Sequence, residues 1–337
     1  MSLPDALSRL PKAELHLHVE GTLEPELAFA LAQRNGVRLP YGDVEELRRA
    51  YDFADLQSFL DLYYACMPVL VTAADFHDLT AAYLARAHAD GVAHAELFVD
   101  LQVHLGNGVS ADDVLDGMTS ALAAAGERWG MTGGVILCVV RDRPVETAHA
   151  ALDAVAHRVH DLVGIGLDSA EVGYPPSLFV SVFDRAAAMG LHRVAHAGEE
   201  GPPAYVREAV ELLGVERVDH GIRAVEDPDV LALLVGRGIA LTVCPLSNVR
   251  LRAVPDLAAH PIRALLDAGV QVTVNSDDPA YFGGYAADNY AALLALGFTA
   301  EEFAGLARTS VRASFAADDR KAELLAGIDA WEAAGPV

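Results

Sequence analysis

The chain alternates eight short apolar segments with segments of helical periodicity, and this alternation restricts its fold more than any other feature. The apolar segments lie at residues 13–19, 92–99, 134–140, 164–168, 192–196, 217–220, 239–244 and 271–275. Most are apolar along their whole length, which is typical of parallel strands covered on both faces. Between them, apolar residues recur with a helical period, which predicts helices over 115–128, 147–163, 177–190, 204–213, 227–238 and 261–269.

Eight strand–helix pairs predict an α/β fold, and specifically a (β/α)8 barrel, with a doubly wound open sheet as the alternative. A barrel gathers functional residues at the carboxyl ends of its strands. Polar clusters indeed follow the apolar segments, among them HVEG, DSAE, HAGEE, DHG, CPLSN and NSDDP. We expect a single domain over residues 1–337. In it, residues 24–91 form a helical insertion after the first strand and residues 300–337 form closing helices.

Composition excludes several classes of protein. The 24 Lys and Arg residues against 48 Asp and Glu give a formal net charge of −24, which argues against nucleic acid or an anionic membrane as the partner. There is no run of about 18 apolar residues and no basic segment leading into an apolar one near residue 1. Three distant cysteines make a disulfide framework or a cysteine-based zinc site improbable. We expect a soluble, cytoplasmic protein.

Four residues at predicted strand ends form a candidate metal site. His16 and His18 lie two residues apart on a strand, so their side chains point to the same face. His196 ends the fifth apolar segment, and Asp277 follows the eighth. Zinc takes imidazole nitrogen and carboxylate oxygen, and a catalytic zinc site keeps one position for water. We predict one zinc ion per chain, although iron and manganese accept the same ligands.

Three further residues are candidates for the chemistry. Glu199 follows His196 by three residues, and a carboxyl group shielded from water can hold its proton near neutral pH, as a general acid requires. His220 is placed to hydrogen-bond or deprotonate a metal-bound water. Asp278 diverges from its neighbour Asp277, so it is better placed to hold the substrate. We interpret the other nine histidines as structural; they lie at positions 77, 88, 94, 104, 149, 157, 160, 192 and 260.

Together these motifs resemble the adenosine/adenine deaminase family of metal-dependent barrel hydrolases over nearly the whole chain. The resemblance rests on KAELHLH at 12–18, HAGE at 196–199, DHG at 219–221, CPLS at 244–247 and NSDDP at 275–279. It implies a metal-dependent hydrolase barrel with zinc on His16, His18, His196 and Asp277. It also implies that Glu199 donates a proton to N1 of a purine, that His220 lies beside the attacking hydroxide, and that Asp278 is the partner of N7.

Within this family the chain is most similar to the adenine deaminases, on the segments LDSAEVG at 167–173, EEGPPAY at 199–205, CPLSN at 244–248 and DPAYFGGY at 278–285. The nucleoside enzymes usually carry aspartate where this chain has Glu20, and tend to have glycine where it has Glu171. We therefore expect Glu171 to accept a hydrogen bond from N9–H or N3–H of a free base and to exclude a sugar. The resemblance implies zinc-dependent deamination of adenine to hypoxanthine and ammonia in purine salvage. The alternative is deamination of adenosine or another N9- or N6-substituted adenine.

Two other classes of protein compete with this interpretation. A binuclear amidohydrolase often bridges two metals with a carbamylated lysine, but no lysine lies between Lys12 and Lys321. Glu171 could bridge instead, so the number of metals per chain separates the two classes. A binding protein on a deaminase scaffold is disfavoured because every expected ligand and Glu199 are present. The expected partner is a small purine, and homo-oligomerisation is left open.

Overall fold

The computed structural model describes residues 3–335, and its centre is one sheet of eight parallel strands. The strands follow one another in the sheet in chain order. They are β1 (Lys12–Glu14), β2 (Val92–Val99), β3 (Thr132–Val140), β4 (Leu162–Asp168), β5 (His192–Ala197), β6 (Arg217–His220), β7 (Ala240–Val243) and β8 (Gln271–Val274). The predicted (β/α)8 barrel is confirmed.

The barrel closes just beyond the ends of β1 and β8. The His18 N–H donates to the Asp277 carbonyl at 3.1 Å, and the Asp277 N–H donates to the His16 carbonyl at 3.1 Å. A parallel bridge joins Leu17 to Asp277 at the same place. The seam of the barrel is therefore built from three of the four predicted metal ligands.

Alpha-helices connect the strands on the outside of the barrel. They are Leu101–Gly106, Ala111–Trp129, Val145–Val155, Val180–Ala188, Pro203–Glu208, Pro228–Arg237, Pro245–Arg250 and Ile262–Asp267. Pro203–Glu208 continues as a π-helical turn, Ala209–Leu213. Within the described residues, the first α-helix is Leu3–Leu7. Four α-helices follow β8, which are Pro279–Phe282, Ala286–Ala292, Ala300–Ala313 and Asp318–Ala333. No helix in residues 3–335 is both long enough and apolar enough to cross a membrane.

Residues 24–91 contain four α-helices, which are Pro25–Asn35, Val44–Ala50, Leu56–Cys66 and Ala73–Ala89. The third of them begins with a capping box between Asp55 and Ser58. Its aromatic face packs on the segment after β8, because the Phe59 ring lies 5.5 Å from that of Tyr281 and 4.7 Å from that of Phe282. This helix therefore covers the carboxyl end of the barrel.

Several predicted elements differ from the structure at their ends, and two of them differ by five residues or more. The first apolar segment was expected to be extended over 13–19, but β1 ends at Glu14. The ladder is interrupted where the Leu15 N–H donates to the Asn275 side chain at 2.9 Å, and parallel bridges resume at Leu17 with Asp277 and at His18 with Phe98. The helix predicted over 147–163 ends at Val155, and a short 3-10 segment with non-helical φ at Arg158 leads into β4.

Candidate active site

The structure brings the four predicted metal ligands to one point. One ligand atom from each of His16, His18, His196 and Asp277 lies within 4.8 Å of the other three, and all four residues are buried. Nε2 of His18 lies 3.2 Å from Nε2 of His196, and Nε2 of His16 lies 3.4 Å from Oδ1 of Asp277. Such a set of facing nitrogen and oxygen atoms is suited to holding a cation.

A neighbouring oxygen orients each imidazole ring. The His16 Nδ1–H donates to the Thr242 carbonyl at 3.1 Å, so its Nε2 offers a lone pair to the cluster and has no hydrogen-bond partner among the described residues. His18 Nδ1 faces Asp168 at 3.5 Å, and His196 Nδ1 faces Asp219 at 3.5 Å. Carboxylates and carbonyls in these positions fix the ring orientation of metal-binding histidines.

Left-handed backbone is concentrated at the site. Among the residues that the structure describes, four non-glycine residues have positive φ, and three of these, Ser169, His220 and Asp277, line one cavity. Such a conformation costs free energy and persists only where the surroundings enforce it. The hydroxyl of Ser247 donates to Oδ2 of Asp277 at 2.6 Å, which holds this carboxylate in place.

A chain of hydrogen bonds determines the tautomer of His220. The Ile262 N–H donates to Nδ1 of His260 at 3.2 Å, so the proton of His260 is on Nε2 and is donated to Oδ1 of Asn248 at 3.2 Å. The amide of Asn248 then donates to Nδ1 of His220 at 3.1 Å. The proton of His220 is therefore on Nε2.

The Nε2–H group of the neutral His220 ring points toward Glu199 and Asp277. It lies 3.5 Å from Oε2 of Glu199 and 3.8 Å from Oδ2 of Asp277. Burial, together with the proximity of His16, lowers the pKa of His220 to about 3, so the ring is neutral. Of the two roles expected for His220, this arrangement favours hydrogen-bond donation over removal of a proton.

Glu199 lies at the cavity with a carboxyl group that is shielded from water. The residue is 6% exposed, and its Oε1 has no hydrogen-bond partner among the described residues. Burial, with the negative charge of Asp277 as the second cause, raises the pKa of Glu199 well above its ordinary value. A carboxyl group in this environment keeps its proton at neutral pH.

Glu171 is not among the residues that line the cavity, in contrast to the expected contact with the substrate. Its carboxylate instead accepts hydrogen bonds from four consecutive backbone N–H groups, those of residues 198–201, at 2.6–3.1 Å. A Cβ atom at Gly201 would lie 2.5 Å from Oε1 of Glu171. Glu171 therefore holds the turn that carries Glu199, while its contact with a base stays a prediction.

The cavity encloses about 400 Å³ of empty space including its open mouth. Its walls come from strand ends and from the covering helix. They comprise His18, Leu56, Phe59, Leu60, Tyr63, Tyr64, Asp100, Asp168, Ser169, His196, Glu199, His220, Leu251, Asp277 and Asp278. The sequence interpretation missed Asp100, although this residue directly follows β2 and the position alone could have identified it. It also missed Asn248 and His260.

The sequence was compared with models of protein families, and residues 11–331 match the family described as adenosine deaminase. The chain belongs to the adenosine deaminase family. Its fit to this family covers every strand of the barrel and all of the motifs that line the cavity.

Two adenine deaminases and an amidohydrolase are similar to the chain over nearly their whole length. An adenine deaminase from Streptomyces coelicolor is 60% identical over 330 residues, which cover 97% of each protein. The crystal structure of an adenine deaminase from Arthrobacter aurescens superposes with a TM-score of 0.94 at 55% identity and covers 96% of this chain and 99% of its own. An amidohydrolase from Burkholderia ambifaria, solved with bound Zn, superposes with a TM-score of 0.90 at 28% identity and covers 98% and 94%.

Proposed function

We propose that this chain catalyses the hydrolytic deamination of adenine to hypoxanthine and ammonia, with one zinc ion held by His16, His18, His196 and Asp277. The observation that carries the proposal is that a shielded carboxyl group, Glu199, faces the same small cavity as this ligand set. The relatives named adenine deaminase support the choice of substrate.

The donor set fits a zinc ion. Three imidazole nitrogens and one carboxylate oxygen are of the kinds that zinc prefers, and the buried Nε2 of His16 has no partner within the described residues. A bound zinc ion supplies the activation of water as a nucleophile near neutral pH. The relative from Burkholderia ambifaria was solved with bound Zn, which supports zinc over iron or manganese.

The residues of the chain supply the proton transfers. Glu199 donates its proton to N1 of adenine, which draws electrons from C6 and opens that carbon to attack by water. His220 donates a hydrogen bond from Nε2–H to the attacking oxygen. Water gives up two protons: one leaves with the amino group as ammonia, and the other returns to the Glu199 carboxylate as the C6 carbonyl of hypoxanthine forms. A positioned general acid contributes about 10²–10⁴-fold to the rate.

Asp278 holds the imidazole ring of the base in this proposal. It is 4% exposed, lines the cavity, and its Oδ1 has no hydrogen-bond partner among the described residues. Burial, together with the charge of Asp277, raises the pKa of Asp278 well above its ordinary value, so its carboxyl group is protonated. A protonated carboxyl donates a hydrogen bond to N7, which is an acceptor in 9H-adenine.

Ammonia release from a panel of substrates tests the proposed function. We expect the zinc-loaded protein to release ammonia from adenine, with kcat/KM for adenosine at least about 100-fold lower, because a site that hydrogen-bonds a substrate N–H rejects an analogue that lacks it. Ammonia release from adenosine, or formation of hypoxanthine and methylamine from N6-methyladenine, at the rate of adenine or faster would contradict the proposal. Adenine left intact by protein of confirmed zinc content would also contradict it.

A variant of Glu171 tests its role behind Glu199. We expect Glu171→Gln to lower kcat for adenine by about 10–100-fold while the zinc content is unchanged. A neutral amide accepts the four N–H groups less well than a carboxylate does, and hydrogen bonds to charged groups are worth about 1.5–3 kcal/mol. The matched control is Glu208→Gln, since the Glu208 carboxylate accepts one backbone N–H at the surface, from Ser177 at 3.0 Å. Equal kcat for wild type and Glu171→Gln would refute the role.

Hypoxanthine is a free purine base, so we place the reaction in purine salvage.

We also propose that residues 1–337 form one domain. The helix Leu56–Cys66 packs over the mouth of the barrel, which supports one domain that includes both the helical insertion and the barrel.

A further inference from the structure

Two carboxyl groups in the cavity have no role in the steps above. Asp100 and Asp168 are each 2% exposed and line the same cavity as Glu199 and Asp278. Oδ1 of Asp100 has no hydrogen-bond partner among the described residues. The two carboxyl groups share a hydrogen bond, and burial with the charge of Asp168 raises the pKa of Asp100 well above its ordinary value, so Asp100 holds the shared proton and its Oδ1 stays free to accept. Buried acceptors are rarely left without a donor, and such an exception in a native structure needs an explanation.

The surroundings hold Asp100 in position without using its side chain. Asp100 is the N-cap residue of the helix Leu101–Gly106, yet its carboxylate makes no capping hydrogen bond. Its backbone N–H donates to Oε1 of Glu20 at 3.0 Å, and the same oxygen accepts from Nε2 of His104 at 2.7 Å. Glu20 stands where nucleoside enzymes of the family usually carry aspartate. In this chain its carboxylate accepts the backbone N–H of Asp100 and so helps to hold that residue in position.

The wall beside these carboxyl groups is closed by a direct contact. The hydroxyl groups of Tyr64 and Ser169 lie 3.0 Å apart and join the covering helix to the residue after Asp168. Tyr64 and Ser169 both line the cavity. The carboxyl pair therefore shares this cavity with the closed wall.

Free adenine and adenosine differ at N9, where the free base carries a hydrogen and the nucleoside carries a sugar. We propose that Asp100, with Asp168 beside it, accepts the hydrogen bond from the imidazole-ring N–H of an unsubstituted purine base and so selects free bases over N9-substituted ones. This inference rests on the proposed function and assigns to Asp100 the selectivity that the sequence suggested for Glu171. A sugar or methyl group on N9 removes the donor and leaves the buried acceptor Oδ1 of Asp100 unpaired, which carries a free-energy cost.

Binding of two inert probes to zinc-loaded protein tests this inference without turnover. Purine keeps the ring N–H but lacks the amino group, and 9-methylpurine lacks the ring N–H as well. We expect calorimetry to show that wild type binds purine at least about 30-fold more tightly than 9-methylpurine. In Asp100→Ala we expect this ratio to fall to about 3 or less through weaker binding of purine, and in Asp100→Asn, which keeps the side-chain shape, to an intermediate value. These factors follow from about 1–3 kcal/mol for a buried acceptor that is left without its hydrogen-bond donor.

The matched control is Asp142→Asn, because Asp142 is exposed and its carboxylate is 3.4 Å from the hydroxyl of Ser169. It should keep the wild-type ratio. If Asp100→Ala and Asp100→Asn both keep the wild-type ratio, the inference is wrong. It is also wrong if wild type binds two zinc ions and Asp100→Ala binds one, since one atom each of His18, Asp100 and Asp168 lie within 4.8 Å of one another and would then hold the second ion. Failure of the proposed function is separate, because it is measured by ammonia release from adenine by wild type.

Discussion

Glu199→Gln is expected to lower the turnover of adenine by about 10²–10⁴-fold, the contribution of a positioned general acid, while zinc binding is unchanged. The amide has the shape of the carboxyl group but cannot donate an acidic proton to N1. Steady-state kinetics of ammonia release and metal analysis of the same sample measure both quantities. Loss of zinc in this variant, or turnover close to wild type, would contradict the assignment of Glu199 as the proton donor.

The pH dependence of turnover provides a second test of the role of Glu199. Burial and the charge of Asp277 raise the pKa of Glu199, so its protonated form persists to neutral pH. Wild-type kcat should therefore fall as pH rises through this raised pKa, and the residual activity of Glu199→Gln should lack that decrease. The control is Glu208→Gln, because Glu208 does not line the cavity and is not among the charges that raise the pKa of Glu199. It should keep the wild-type pH profile.

His16→Ala is expected to remove zinc and activity together, with turnover of adenine lower by at least about 10³-fold, because metal activation of water is worth several kcal/mol. Nε2 of His16 lies 3.4 Å from Asp277 at the centre of the ligand set, so its loss leaves three ligands. The matched control is His157→Ala, which removes an exposed imidazole paired with Asp112 at 3.0 Å. Full zinc content in His16→Ala would show that the ion is held elsewhere.

The barrel could be predicted from the sequence because its strands are apolar on both faces and alternate with helices. The ends of single elements could not. The ladder of β1 is interrupted after Glu14, where the side chain of Asn275, 260 residues further along the chain, accepts the N–H of Leu15. No local pattern near residue 15 contains that information.

The candidate site likewise combines features that could be predicted from the sequence with features that could not. His16, His18, His196 and Asp277 could be grouped from the sequence because the carboxyl ends of barrel strands meet at one face. The role of Glu171 could not, since it depends on four N–H groups of the turn at 198–201, which only the fold brings to its carboxylate. The tautomer of His220 likewise depends on Asn248 and His260, whose residue types are equally common in structural positions.

The most direct test of the account is to strip the protein of metal with a chelator and return zinc in steps while ammonia release from adenine is followed. We predict that the metal-free protein is inactive and that the rate rises linearly to its maximum at one zinc ion per chain. Full activity of the metal-free protein, or a maximum reached only at two ions per chain, would contradict a single zinc centre on His16, His18, His196 and Asp277.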